Sequence, residues 1–294
     1  MSAGGTMAEH QPIPTDAAEL HPLDTATLGT DLPSPKVRLS TLAQWGAGGG
    51  WRLSLPHSSK THNLLWITKG QARITLEGVQ RGLGAHNAVV IPAGCGFALE
   101  PGAQCFGWVV SVAAQSPILM PDNAQILRIL EVQNQTELTA LIDRMQRETH
   151  HNLPFADEAL AAHAQLMTVW LRRAMIDHDN TARPKASQRL VTAYAALIER
   201  DYHLPRVMAD YAADLGVTPT HLTRTCRQSA GMTAADMLVR RKLHAARVAL
   251  EDGDLPITQI AASLGFGSAA YFSRFIQHHT THSPSSLRKA ARAA

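Results

Sequence analysis

A chain of 294 residues with 45% hydrophobic and 17% charged residues holds enough apolar material for real cores, which excludes global disorder and suggests about two domains. No apolar run approaches the roughly 20 residues of a bilayer span, and the N-terminus lacks the basic start and apolar stretch of a secretory signal. Cys95, Cys105 and Cys226 show no CxxC spacing and make neither a disulfide framework nor a zinc cluster. A cytoplasmic protein with no membrane partner is therefore expected. The net charge of +3 is unevenly spread. From Pro184 to Ala294 there are 14 Lys and Arg against 8 Asp and Glu, a net of +6, which leaves −3 for the remainder. A basic C-terminal third suits contact with DNA phosphates, and equally a solvated basic surface.

Residues 1–35 are rich in Gly, Pro, Ala, Thr and Asp without a period, and five prolines interrupt any helix, so a flexible tail is predicted. Residues 36–115 read as strands. Trp51, Leu53 and Leu55 alternate with Arg52 and Ser54, and Leu64, Trp66 and Thr68 with Leu65 and Ile67. Ala72, Ile74 and Leu76 alternate with Arg73 and Thr75, and glycines punctuate the runs. Many short strands with turn signals predict a β-sandwich or barrel. Over 116–180 the period becomes helical. Ile126, Leu127 and Leu130 form one stripe, and Thr136 caps a helix carrying Leu138, Leu141, Ile142 and Met145. Leu160, Met167, Trp170, Leu171 and Met175 mark a third helix. These helices either cover the β-domain or form the seam of a homodimer. The polar stretch around Pro184 places a linker at 181–187.

Residues 188–290 are the most informative. A helix over 188–201 is followed by Ala212, which lets two helices approach, and by Gly216, which permits a sharp turn. Thr218 is an N-cap candidate and Pro219 suits the first helical position. The next helix turns Leu222 and Cys226 inward and Thr220, Thr223, Arg224 and Arg227 outward. The pattern recurs: Ala261 and Gly265 repeat the spacing of Ala212 and Gly216, and Ser268 caps a helix through Phe275. Between the units, a helix over 233–251 spans roughly 27 Å, a rod of the right order to hold two recognition helices one DNA turn apart, about 34 Å.

Ile257, Ile260-Ala261, Gly265-Phe266, Tyr271-Phe272-Ser273-Arg274-Phe275, Ser283-Pro284 and Arg288 closely resemble the signature of the AraC/XylS family of transcription regulators. The resemblance covers about 190–289. Three positions depart from the family pattern: Thr281 replaces a glycine, Lys242 an arginine, and Cys226 an aromatic residue. The resemblance implies two helix-turn-helix units joined by a linker helix, with double-stranded DNA as partner. It also implies base-facing positions at Thr220, Thr223 and Arg224, then Ala269, Ala270, Ser273 and Arg274. Arg224 has the chemistry to fork onto guanine O6 and N7. Arg274 is open to base, phosphate or a place against the linker helix, while Ala269 and Ala270 offer only apolar contact, as with a thymine methyl. Thr218, Arg227 and Ser268 are phosphate candidates. Tyr271, Phe272 and Phe275 are expected in the core.

Residues 57–111 are similar, more loosely, to the cupin-like β-barrel that often accompanies this DNA-binding domain and senses a small molecule. A barrel of this size holds one small ligand. His57, His62, Trp66, Arg73, Phe97 and Trp108 are candidate pocket residues. His57 and His62 form no His-x-His pair, so neither metal nor cofactor is expected. The fold expected is thus multidomain α+β: an N-terminal cupin-like barrel with following helices, and an all-α C-terminal domain. Parts of both halves are similar to the subgroup that responds to hydroxybenzoate- and hydroxyphenylacetate-type aromatic acids. That implies an activator acting through RNA polymerase, and no enzyme. Two alternatives stand beside it: a cupin-type metal enzyme fused to a DNA-binding module, and an alkylation-repair regulator.

Overall fold

The computed structural model describes residue 1 and residues 37–151, 154–178 and 184–293. Apart from Met1, the tail expected over 1–35 lies outside the described residues, as do residues 181–183 of the expected linker.

Among the described residues, the N-terminal half contains eight strands: β1 (Val37–Thr41), β2 (Thr61–Lys69), β3 (Ala72–Leu76), β4 (Val79–Leu83), β5 (Asn87–Ile91), β6 (Phe97–Pro101), β7 (Phe106–Ala113) and β8 (Gln125–Arg128). They form two separate antiparallel sheets, ordered β1-β7-β2-β5-β8 and β4-β3-β6. In register, Leu64 faces Val90 on one side and Val110 on the other. Side chains alternate across a strand, so β2 splits its apolar run between two cores. Leu65 and Ile67 join Val89, Ile91 and Val109 against Ile74, Leu76, Phe97 and Leu99 of the small sheet. Leu64 and Trp66 join Val90, Val110 and Val112 on the opposite face, which is covered by α3 (Val132–His151) and α4 (Ala156–His178) through Leu138, Ile142, Met167 and Leu171. A strand buried on both faces reads as a continuous apolar run, which is what Leu64–Ile67 and Ala88–Ile91 display. The two sheets enclose one core but remain open at their edges, so the arrangement is a sandwich and not the closed barrel expected.

Three local expectations are corrected. Residues 42–45 and 51–54 form short helices, α1 (Leu42–Trp45) and α2 (Trp51–Ser54), where strand alternation was read at Trp51, Leu53 and Leu55. Ile126 and Leu127 lie in β8, paired with β5 through Val89 and Ala88, and not in a helix. Thr136 is inside α3, its hydroxyl donating back to Val132 O at 2.8 Å, and caps nothing.

The C-terminal half is all helix: α5 (Ala186–Asp201), α6 (Met208–Asp214), α7 (Pro219–Ala230), α8 (Ala234–Glu251), α9 (Ile257–Ser263), α10 (Ala269–Thr280) and α11 (Pro284–Ala293). One core joins them, with Tyr194, Tyr211, Leu222, Cys226, Leu250, Ile260, Phe272 and Ile276 all buried. The buried Tyr194 hydroxyl donates to Ala234 O at 2.7 Å, tying α5 to the start of α8. No described helix is long and apolar enough to cross a membrane.

Candidate nucleic-acid interface

The two units are built alike, except that the second has one more residue between its turn glycine and its cap, Gly265 to Ser268 against Gly216 to Thr218. In the first, α6 ends at Leu215, Gly216 turns the chain with φ +65°, and Val217 N–H bonds back to Ala212 O at 3.0 Å. In the second, Gly265 turns with φ +71° and Phe266 N–H bonds back to Ala261 O at 2.9 Å. Only glycine takes that conformation without cost. A Cβ at Gly265 would also meet His203 O at 2.5 Å, so the turn of the second unit packs directly on the loop after α5.

Each turn leads into a capped helix. Thr218 Oγ1 accepts from His221 N–H at 3.2 Å, with Pro219 at the first position of α7. Ser268 Oγ accepts from Tyr271 N–H at 3.1 Å and starts α10. Such caps satisfy otherwise orphaned donors and are worth about 1 kcal/mol each. On α7, Leu222, Cys226 and Ala230 are buried, Thr220, Arg224 and Arg227 are exposed, and Thr223 is half-buried. On α10, Phe272 and Ile276 are buried, Ala270 and Arg274 are exposed, and Ala269 and Ser273 are half-buried. Arg274 stands in solvent rather than against the linker helix. Tyr271, expected in the core, is 56% exposed on the outer face of α10. Phe272 is buried, and Phe275 is half-buried with its ring 5.0 Å from that of Phe266.

The frame behind these helices is held by charge. Asp201, buried at the end of α5, accepts from Arg200 at 2.7 Å and also from Arg206. The Arg200 guanidinium, and then that of Arg206, hold the Asp201 carboxyl down at about 2. Arg206 reaches on to Asp214 at 2.7 Å, clamping α6 to α5. Lys242, in the middle of α8, donates to Leu264 O at 3.2 Å and so closes the end of α9.

The six candidate pocket residues of the N-terminal half are not brought together. Trp66 and Trp108 are register partners on the helix-covered face, and the buried Trp66 indole N–H has no partner among the described residues. Arg73 is exposed and pairs with Glu100 at 3.4 Å. His62 Nδ1 accepts from Ala93 N–H at 3.4 Å. His57 and Phe97 lie side by side, rings 4.3 Å apart, at the seam with the C-terminal half.

That seam is the feature the sequence did not reveal. Arg52 forks onto Asp252 at 2.6 and 2.8 Å. Glu199 accepts from both Ser58, at 2.9 Å, and Arg241, at 2.8 Å. Arg240 donates to Ser54 O at 2.9 Å, and Arg247 lies 4.2 Å over the Trp51 ring. His57 stacks on His244 at 4.3 Å, with the ring planes nearly parallel. Burial pushes His57 down to about 4 and His244 lower still, so both imidazoles are neutral at pH 7. The partners are up to 200 residues apart, and no local pattern signals them. A small cavity opens at the same seam, lined by Phe97, Ala98, Ile198, Met232, Met237 and Arg240 among others, with about 40 Å³ of interior space. Arg240 Nε beside it is buried without a hydrogen-bond partner among the described residues.

Among the described residues no three His, Cys, Asp or Glu side chains gather as a metal site. Burial raises the Cys95 and Cys226 thiols to about 12, which holds them protonated and unreactive.

Residues 211–290, spanning both units, match the family model described as a helix-turn-helix domain. The HTH-type transcriptional regulator GlxA of Rhizobium meliloti (strain 1021) is 30% identical over 126 residues, 41% of this chain and 39% of that protein. The uncharacterized HTH-type transcriptional regulator YfiF of Bacillus subtilis (strain 168) is 29% identical over 112 residues, 36% of this chain and 35% of its own length. The chain thus matches about two fifths or less of these relatives. Among solved structures, unsaturated fatty acid bound ToxT from Vibrio cholerae strain SCE256 aligns over 85% of this chain and 92% of its own, at 15% identity and a TM-score of 0.39. A likeness that remote carries no argument. The C-terminal half therefore contains a helix-turn-helix domain. The matches support its AraC/XylS resemblance and are silent on any aromatic-acid subgroup.

Proposed function

We propose that this protein is a sequence-specific DNA-binding transcription regulator of the AraC type whose N-terminal half senses a small molecule. The observation that carries the reading is the repeated unit: two capped helices, α7 and α10, each bury one face and expose another, in a domain of net positive charge. Thr220, Thr223 and Arg224 form the base-reading face of the first unit, and Ala269, Ala270, Ser273 and Arg274 that of the second. Arg224 is the principal reader, through guanine O6 and N7. Thr218, Arg227 and Ser268, at or near the helix starts, hold phosphates. The protein acts as a homodimer and activates through RNA polymerase, in the cytoplasm.

The effector site is proposed at the seam cavity, which includes Phe97 of the earlier candidates. Its lining is mostly apolar but includes Glu100 and Glu199, and Arg240, 3.7 Å from Glu100, supplies the cation for the carboxylate of an aromatic acid by exchanging that partner for the ligand. The space present admits roughly three water molecules, so a benzoate-sized ligand enters only as the seam parts. A ligand that binds the parted state better than the closed one shifts the balance between them.

The test is a titration of the DNA flanking the protein's own gene, at fixed salt, with and without candidate aromatic acids. Specific binding that changes with one acid supports the whole reading. Specific binding indifferent to every acid removes the aromatic effector, and no preference over random DNA overturns the regulator. Arg224→Ala is expected to cost about 1–3 kcal/mol on the specific site and relax its sequence preference. An equal loss on random DNA would make Arg224 a phosphate contact only.

A further inference from the structure

We propose that His221 is a positioning residue for Arg224: its imidazole Nδ1 orients the guanidinium for base reading without neutralising it. The inference rests on Arg224 being a base reader. Arg224 Nη2 lies 3.2 Å from His221 Nδ1, three residues earlier on α7. Residues three apart are neighbours on a helix surface. His221 is itself anchored at both ends of its backbone. Its N–H donates to the Thr218 cap at 3.2 Å, and its carbonyl accepts from Thr225 Oγ1 at 2.9 Å. The imidazole is therefore carried on the capped first turn of the helix.

The chemistry explains why a histidine serves there. A guanidinium has five N–H donors and no acceptor, while a neutral imidazole offers one acceptor nitrogen. Tying one Nη2 hydrogen to Nδ1 leaves the other donors free for the fork onto guanine. A carboxylate at the same place would hold Arg224 more strongly, but it would cancel the charge and compete with the base. Among the described residues no carboxylate pairs with Arg224. Without the tether, a long side chain at the edge of the groove between α5 and α7, lined by Ala186, Ser187, Leu190 and Gln228, has other places to rest. Immobilising such a side chain on binding carries an entropic penalty that the tether removes in advance.

Two substitutions separate the acceptor from the bulk of the ring. His221→Asn keeps an acceptor oxygen at the same number of bonds from the backbone as Nδ1, and His221→Phe keeps a ring without an acceptor. Each is titrated, at one salt concentration, against the best-bound duplex, the same duplex with the Arg224-contacted guanine replaced, and a random duplex. Thermal melts check folding. The expected result is a loss of about 3- to 10-fold in guanine discrimination for His221→Phe, with random-duplex affinity unchanged and discrimination retained in His221→Asn. In an Arg224→Ala background, His221→Phe is expected to change nothing further. Equal discrimination in wild type and His221→Phe overturns the proposal, as does a loss shared by Asn and Phe, or one that persists without Arg224. If wild type itself makes no distinction at the guanine, the reading of Arg224 has failed, and that is seen without any His221 variant.

Discussion

Thr281 ends α10 in the left-handed conformation, φ +62°, a place where the first unit has Gly231 at φ +72°. A β-branched residue there is strained. The side chain offsets part of that by donating to Thr280 O at 2.6 Å. Thr281→Gly is expected to stabilise the protein by roughly 0.5–1 kcal/mol, read as a higher denaturation midpoint. An unchanged or lower midpoint would show that the local hydrogen bond outweighs the strain. The other two departures from the family pattern are absorbed differently. Cys226 is fully buried and fills a small apolar site. Lys242 uses its charge on the carbonyls at the end of α9 and of Leu204, while its ammonium lies 5.3 Å from the Phe266 ring. Burial draws its pKa downward.

Among the elements, α8 joins the two units whose helices α7 and α10 are proposed to read DNA. Thr233 and Asp236 cap its start reciprocally, and Leu243, Ala246, Ala249 and Leu250 anchor its inner face in the core. A packed helix does not stretch, so one spacing of the two contacted DNA segments is expected to suffice. Inserting five base pairs between them places the second segment on the opposite side of the duplex. Affinity is then expected to fall to that of the first segment alone, and ten inserted pairs are not expected to restore it. Recovery at ten would show that the two units move independently. The capped helices were legible because Thr218-Pro219 and Ser268 are local signals, and β2 because its apolar run is long. The short elements were not legible. Three apolar residues at 51, 53 and 55 do not distinguish one turn of helix from a strand, and the partner that makes 125–128 a strand is β5, nearly forty residues away. For the same reason the separation of the sheets was hidden, since it depends on which edges pair and not on which residues are apolar.

Over the whole molecule, the N-terminal half grips α8 and its exit directly. Arg240, Arg241, His244, Arg247 and Asp252 all meet it or its partners there. The stacked His57 and His244 face two cations, Arg52 and Arg241. The nearby carboxylates are engaged elsewhere: Glu199 with Arg241, Asp252 with Arg52, Glu251 with Arg247, and Glu100 with Arg73 and Arg240. Because both folded-state values are depressed, the stability from burying these neutral imidazoles is complete above the unfolded value near 6.5. It is lost as pH falls from there toward about 4. For His57 alone the expected loss is on the order of 3 kcal/mol, and His244 adds to it, seen as a falling melting temperature. The double variant His57→Gln, His244→Gln should flatten that dependence between pH 6.5 and 5, and a slope identical to wild type would show that the stack does not hold the seam.

On α7 and α10 the outward residues touch solvent, while Leu222, Cys226, Phe272 and Ile276 beneath them carry the packing. Substitutions on an exposed helix face usually shift stability by no more than about 0.5 kcal/mol. The residues proposed to choose a DNA sequence are thus largely separate from those that keep the protein folded. On that proposal, a lineage carrying this fold can change its set of target genes in single steps, each tolerated at once, without first acquiring a stabilising mutation elsewhere.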